Sequence, residues 1–548
     1  MEQEQLNIGL SFSGGGYRAA TFHLGSLSFM NKVKVDSEHS LLDYVKVLSS
    51  VSGGTITALK YMLACAKGQS INDMIKELFG FLCDNDLVSQ AMECMNDKKT
   101  DPNISLIRIM ADIYDEYLFD HKDFGTIIDN FNHIPVKDYT ALATDFNTAL
   151  PFRFRVDEGC ISAKGNLTHA RFGNDEHRIN RDDARLVTMG EALACSSCFP
   201  GGFEPMMFPE DFKLAADEKL ADKYTKEVET KDGKTKRGFG IMDGGVADNQ
   251  GIESILQAEE RLREHRNNKN YTGAPNEKAL DLIIVSDVSS PKIKEGFAPH
   301  KQCLWKWLGN QTISRLQSYG LIIGLVLLAL LALALFKGST ILTLVSSALL
   351  AIDSSLVFGG VWLKNKIHNM IAESFIGDRA KFISHMKLAS AESMLMNRAK
   401  SVLKMSSEVF LKRQRQLNYD RIHDDPDWDN RRISNRVDEL RSDGTWTTKT
   451  TLPPELRPSE AVQAITDVAS DMGTTLWFTP EEKARRVPQA LLADGQYTIC
   501  YNLLDYIDKI QKDPSYVPTS TYQLFTSLKP TLMEAWDKFQ QNPMWMIP

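Results

Sequence analysis

Three short stretches of this chain combine residue types that could carry out nucleophilic chemistry. Asn7–Ser13 alternates Ile8, Leu10 and Phe12 like a short strand, then runs into Gly14-Gly15-Gly16-Tyr17-Arg18 and a helical pattern over Ala19–Met30. Strand, glycine loop and helix start bring backbone N–H groups together, which suits a negative charge, with phosphate one candidate. The spacing is neither the Gly-x-x-x-x-Gly-Lys of a P-loop nor the Gly-x-Gly-x-x-Gly of a dinucleotide fold, so nucleotide binding is disfavoured.

The second stretch follows a strand over Tyr44–Ser49 and reads Ser50-Val51-Ser52-Gly53-Gly54, with Ile56, Leu59 and Leu63 on one face of the helix beyond. A strand turning sharply into a helix, with serine at the apex and small neighbours, is a nucleophile-elbow arrangement. Ser50 stands where the usual Gly-x-Ser-x-Gly has its first glycine, and taken alone the stretch reads equally as a glycine-rich helix N-cap. A serine nucleophile needs a base and an oxyanion hole. Gly14, Gly15 and Gly16 offer candidate N–H donors. None of the 11 histidines stands in an obvious triad context. The third stretch instead offers a carboxylate: Gly238–Met242 leads into Asp243-Gly244-Gly245, a loop free of side-chain crowding. By itself that is also a surface Asp-Gly turn.

In this order, Gly-Gly-Gly-x-Arg, Ser-x-Ser-x-Gly and Asp-Gly-Gly resemble the patatin-like phospholipase family. His23-Leu24-Gly25, Ala143-Thr144-Asp145 and the run from Ala194 to Pro205 agree with the family pattern, and the resemblance covers roughly residues 6–290. It implies a three-layer α/β hydrolase-type sheet in which Ser52 is the nucleophile and Asp243 its partner in a Ser–Asp dyad. Gly14, Gly15 and Gly16 would form the oxyanion loop with Arg18 bracing it, Ser50, Gly53 and Gly54 the elbow, and Gly244 and Gly245 the turn behind the aspartate. A carboxylate with an ordinary pKa of about 3.9 is a poor base for serine. The site is therefore expected to be partly desolvated, or to rely on oxyanion donors worth about 3–4 kcal/mol each. No cofactor and no metal are expected, since no calcium-loop or zinc spacing is present. Cys195-x-x-Cys198 and Met206-Met207-Phe208 read as packing residues, and Pro209–Arg237 as a solvated insertion with a hairpin turn at Lys231–Lys234.

The elements that must hold these residues lie in a chain of 548 residues, enough for two to four domains at roughly 100–200 residues each. Hydrophobic residues make up 43% and charged residues 24%, which excludes wholesale disorder. The net charge of −8 is the wrong sign for a general nucleic-acid binder. Eight scattered cysteines fit a reducing compartment. Met1–Leu6 has neither a basic n-region nor an apolar h-region, so no secretory signal is expected and the protein should face the cytosol.

Composition shifts abruptly once. Residues 316–336 carry no charge, and 339–363 form a second apolar stretch broken only by Asp353. Each reaches the roughly 20 residues that cross a bilayer. Separated by Lys337-Gly338 alone, they predict a tight hairpin with both ends on one side. Lys301, Lys306, Arg315, Lys364 and Lys366 flank it, which places the bulk of the chain on the cytoplasmic side, and Trp305, Trp307, Tyr319 and Trp362 fit an interfacial belt. Asp353 implies a helix partner, a cavity or a re-entrant segment. Beyond it, residues 371–417 read as helical, with Phe382, Met386, Met394, Val402 and Phe410 on one face. That face could pack on the catalytic domain, mediate oligomerisation or lie along the membrane. Lys412–Arg436 reads as a solvated charged surface, while Val468–Pro480 could return to cover the catalytic core.

The expected organisation is a catalytic domain over 1–300, a transmembrane hairpin with flanks over 301–370, and a mainly helical C-terminal region over 371–548. The expected function is membrane-anchored hydrolysis of phospholipid acyl esters, with phospholipid membrane and lipid substrate as partners. A thioesterase or lysophospholipase, or a silent membrane-anchored scaffold, are the alternatives these residues leave. Because uncontrolled hydrolysis would damage the host bilayer, control by homo-oligomerisation or an activating partner is expected; a constitutively active purified monomer would contradict it.

Overall fold

The computed structural model describes residues 6–97, 104–158, 169–230, 233–266, 279–288, 306–372, 387–450, 452–513 and 520–547. Lys231, Asp232, Lys301, Trp305, Phe382 and Met386 lie outside them. Contacts divide the chain into two units, residues 1–292 with 407–548, and residues 293–406.

The first unit is built on a mixed sheet. Its strands are β1 (Ile8–Phe12), β2 (Val45–Val51), β3 (Asp138–Asp145), β4 (Pro151–Asp157), β5 (His169–Gly173), β6 (Arg178–Ile179) and β7 (Met206–Phe208). A separate two-stranded hairpin follows, β8 (Lys226–Thr230) and β9 (Gly233–Arg237), then β10 (Phe239–Asp243), β11 (Leu282–Asp287) and β12 (Arg432–Arg436). The main path runs β12-β11-β1-β2-β3-β4-β5-β6, parallel from β12 to β3 and antiparallel from β3 to β6. β10 pairs antiparallel with the end of β3 and with β7.

Both faces of the sheet are covered, and β11 shows it directly. Leu282 and Ile284 enter one core; Ile283 and Val285 enter another with Ile252, Ile255 and Ile422. That is the period-2 alternation of a strand apolar on both sides. On the first face lie α1 (Gly16–Lys32), α2 (Gly53–Ala66) and the helix Val487–Lys512; on the second lie the helices Ile252–Arg266 and Leu411–His423. A Cβ at Gly25 of α1 would fall 2.2 Å from the Leu492 carbonyl oxygen, so these two helix backbones touch. The result is a mixed α/β fold covered by helices on both faces, with a C-terminal region that is mainly helical but also contributes β12 to the sheet. Lys412–Arg436 departs from its expected solvated character, because Arg415 and Arg431 are buried against Asp287 and Glu259.

In the second unit, the helices Ile313–Phe336 and Thr340–Ala372 form the hairpin, and Ser314–Phe336 and Thr340–Gly359 are long and apolar enough to cross a membrane. Only 17% and 6% of the most apolar windows are buried. The Asp353 carboxylate lies against the first helix, where a Cβ at Gly324 would be 3.0 Å from its Oδ2. Two glycines on that helix, Gly320 and Gly324, give the second helix room to approach.

Candidate active site

The register of β3 explains how the site assembles. β4 occupies one edge of β3 through Thr144, and β2 occupies the other only as far as Val51 opposite Leu142. β10 takes over that vacated edge, running the opposite way, and its last residue Asp243 faces Ala143. Two strand ends therefore meet head-on against consecutive residues, and each delivers its next group into the same gap.

Ser52 is the residue after β2 and the N-cap of α2, at φ 50° and ψ −123°. A non-glycine residue held there stores about 1–3 kcal/mol of strain, which the surrounding structure must overcome. The fold does so with close packing and polar bonds. A Cβ at Gly53 would lie 2.1 Å from the Gly16 carbonyl oxygen, so the elbow and the glycine loop can touch only because Gly53 has no side chain. The Ser52 N–H donates to Ser196 Oγ (2.9 Å), which itself donates to the Leu142 carbonyl (2.7 Å). Thr55 Oγ1 bonds Ser196 Oγ and also Ser50 Oγ, and Ser50 Oγ meets Tyr139 OH at 3.2 Å. Ser50 thus fits where glycine is usual, its hydroxyl held in a buried network.

Asp243 is fully enclosed. Its Oδ1 accepts the Gly245 N–H at 2.7 Å, and Ser52 lies near enough to favour its charged form. Burial drives its pKa up to about 6, against the smaller opposing effects of the Gly245 N–H and Ser52. The backbone around it is tied to the segment that braces the elbow: the Asp243 N–H donates to the Cys198 carbonyl (3.1 Å) and the Gly244 N–H to the Ser196 carbonyl (3.2 Å). The end of the helix Met189–Ser197 therefore positions both halves of the pair. Ser196 lies in the Ala194–Pro205 stretch, where nothing in the local sequence marks this bracing role.

The family model for patatin-like phospholipases matches residues 10–256. The chain carries a patatin-like phospholipase domain. Among solved structures, it is similar to human GIVD cytosolic phospholipase A2, with 14% identity and a TM-score of 0.31 over 53% of this chain and 44% of that one. The same enzyme in complex with methyl gamma-linolenyl fluorophosphonate gives 15% identity and a TM-score of 0.29, over 53% and 42%. The chain thus spans less than half of that protein's length. No curated protein matches the sequence.

Within the patatin domain the three glycines differ. The Gly14 N–H donates to the Asn249 carbonyl (3.0 Å), and a Cβ at Gly14 would sit 2.5 Å from Asn249 Oδ1 and 3.1 Å from Ser52 Cβ. Gly15 and Gly16, at φ 149° and 58°, lead into α1, whose first N–H groups have no partner within the helix. The Tyr17 N–H is taken by the Thr475 carbonyl at 2.8 Å. Arg18 donates through Nη1 to the Met472 carbonyl (2.6 Å), burial lowering its pKa to about 10. It fastens Met472–Leu476 over the glycine loop, where a Cβ at Gly16 would strike the Thr475 carbonyl oxygen at 2.3 Å.

His23 braces the loop from below. Its Nε2 meets the Ser13 carbonyl (3.1 Å), which only accepts, so Nε2 carries the proton and Nδ1 accepts from Ser286 Oγ (3.0 Å). Burial pushes its pKa down to about 4, keeping it neutral. Asn435 of β12 donates to Ser286 Oγ (3.0 Å), so this buried chain runs from the C-terminal strand to the glycine loop. Cys195 and Cys198 are buried free thiols. Among the described residues, no three His, Cys, Asp or Glu side chains are grouped as metal ligands.

Proposed function

We propose that this protein is a membrane-anchored serine acyl hydrolase that cleaves fatty-acyl esters of phospholipids through a Ser52–Asp243 dyad. The observation that supports the reading is that β2 and β10 end against consecutive residues of β3, which brings Ser52, on a strained elbow, next to a buried carboxylate whose pKa is raised to about 6. Ser52 Oγ attacks the acyl carbonyl while Asp243 accepts its proton, forming the new C–O bond. The oxyanion falls to backbone N–H groups of Gly15, Gly16 and Gly53, with Gly14 committed to holding the loop. Collapse releases the lysolipid alcohol, which takes the proton from Asp243. Water, deprotonated by the same carboxylate, then attacks the acyl carbonyl; collapse breaks the Ser52 Oγ–acyl bond, releases the fatty acid and returns the proton from Asp243 to Ser52 Oγ. A base raised towards neutrality is better matched to a serine hydroxyl than an ordinary carboxylate.

The hairpin supports the choice of substrate. Two apolar helices would tether the domain to a bilayer on its cytoplasmic side and raise the local concentration of lipid without any new contact at the site. Release of free fatty acid from phospholipid vesicles tests the reading, with wild type, Ser52→Ala and Asp243→Ala in parallel. Release by wild type that both variants lose is the expected result. Equal release by all three would overturn the dyad. Fluorophosphonate labelling of Ser52 without fatty-acid release would move the activity to another acyl substrate, and absence of both would favour a silent scaffold.

A further inference from the structure

A polar cavity of about 430 Å³ opens at the foot of the helix Ile313–Phe336, lined by Asn310, Thr312, Ser314, Arg315, Ser318 and Lys387. Its walls come from two segments far apart in sequence. They are stapled by a bridge between Thr312 and Lys387 and by the Leu388 N–H, which donates to the Gln311 carbonyl at 2.8 Å. Thr312 also caps the helix, its Oγ1 accepting the Arg315 N–H at 3.1 Å.

Charge is the first clue to an occupant. The lining holds two cations and no acid, and among the described residues neither Arg315 nor Lys387 has an ion-pair partner. Two like charges fixed on one cavity repel unless an anion lies between them. Depth is the second. Arg315 is the last charged residue before the uncharged run 316–336, and Trp307 and Tyr319 on either side are exposed. In a bilayer that level is the headgroup region, where aromatic belts and basic pockets gather. Chemistry is the third, since the Asn310 amide and the Thr312 hydroxyl, which only accepts within the helix cap, can donate to phosphate oxygens.

We propose that this cavity binds the phosphate of an anionic phospholipid headgroup between Arg315 and Lys387. The proposal rests on the membrane-anchored reading above. It makes the hairpin a selective anchor, favouring bilayers that display monoester or exposed diester phosphate. A soluble phosphate would present the same chemistry, so the test separates the two sources.

Detergent-solubilised full-length protein is titrated with dioleoyl phosphatidic acid or dioleoyl phosphatidylcholine, and bound lipid is counted by native mass spectrometry. Wild type should prefer phosphatidic acid by roughly tenfold, from two charges near the phosphate. The double variant Arg315→Gln with Lys387→Gln should lose that preference, while Lys337→Gln at the far end of the same helix should keep it. If the double variant does not fold, Arg315→Gln alone carries the test, with roughly a threefold loss expected. No preference in wild type, or one unchanged in the cavity variants, overturns the proposal. Displacement of phosphatidic acid by inorganic phosphate supports a phosphate site fed from solution; resistance to it supports the lipid source. Alkaline carbonate extraction of wild type from vesicles reads the anchor separately. Release there defeats the membrane reading even where lipid preference in detergent survives.

Discussion

Asp243 reaches Ser52 because β10 ends opposite Ala143, one residue beyond the Leu142 that faces the end of β2. The two groups lie 191 positions apart in sequence (243 − 52), and a single-residue offset on β3 brings them together. Enclosure there raises the carboxyl to about 6.

That value sets the pH dependence. In the proposed dyad Asp243 would act as base only when ionised, so kcat/KM should rise with pH along a limb of apparent pKa about 6 and level off above it. Below the limb the rate should fall about tenfold per pH unit. Initial rates on a neutral-headgroup lipid across pH 4.5–8 check this; a limb near 4 would mean that the base is an ordinary exposed carboxylate.

The same shift predicts a stability change of defined sign. A carboxyl whose folded pKa is raised binds its proton more tightly in the folded state. Its contribution is therefore most favourable at low pH and is lost as pH rises through about 6. Above that pH the ionised, buried Asp243 costs about 2–3 kcal/mol. Asp243→Asn keeps an acceptor for the Gly245 N–H and removes the charge. It should abolish turnover and, at pH 8, unfold at higher temperature than wild type, the difference vanishing near pH 4. Calorimetry at the two pH values reads the effect, and a destabilised variant at pH 8 would refute it.

Local pattern made much of the site legible. Strand, glycine loop and helix are contiguous at residues 8–32, as are strand, elbow and helix at 45–66, so hydropathy period and glycine placement suffice to read them. What escaped depends on partners distant in sequence. Ser196 looks like one small residue among several in a helix until Ser52 is folded onto it, 144 positions away. Arg415 and Arg431 sit in a run of mixed charge that reads as solvated, yet their acids, Asp287 and Glu259, are 128 and 172 positions distant. The different duties of Gly14, Gly15 and Gly16 also needed coordinates, because identical residues differ only in what their N–H groups meet.

Ser196→Ala separates positioning from chemistry. It leaves the Ser52 N–H and the Leu142 carbonyl without their hydroxyl partner, at a cost of about 1–3 kcal/mol in stability. A serine released from its strained elbow is misaimed, so kcat should fall on the order of 10–100-fold with KM nearly unchanged. Ser197→Ala is the control, since its hydroxyl bonds back to the Leu193 carbonyl within the helix. Steady-state kinetics with thermal melts check both; equal losses in the two variants would assign Ser196 a merely structural part.

The last prediction concerns Asp287, where β11 ends beside the glycine loop. Arg415 Nε donates to its Oδ2 at 2.7 Å, and Tyr419 OH approaches the same oxygen at 3.3 Å. The neighbouring Val288 N–H is held by Ser13 Oγ (3.0 Å), directly before Gly14. Arg415→Met removes the guanidinium that donates to this buried carboxylate, and such broken pairs cost about 3–5 kcal/mol. Asp287→Asn in the same background removes the under-compensated charge and should recover much of that loss, since an amide can still meet Tyr419 and Gln250. Denaturant unfolding of wild type, both single variants and the double completes the cycle. A double variant no more stable than Arg415→Met would show that Arg415 acts through packing of its stem rather than through its charge on Asp287.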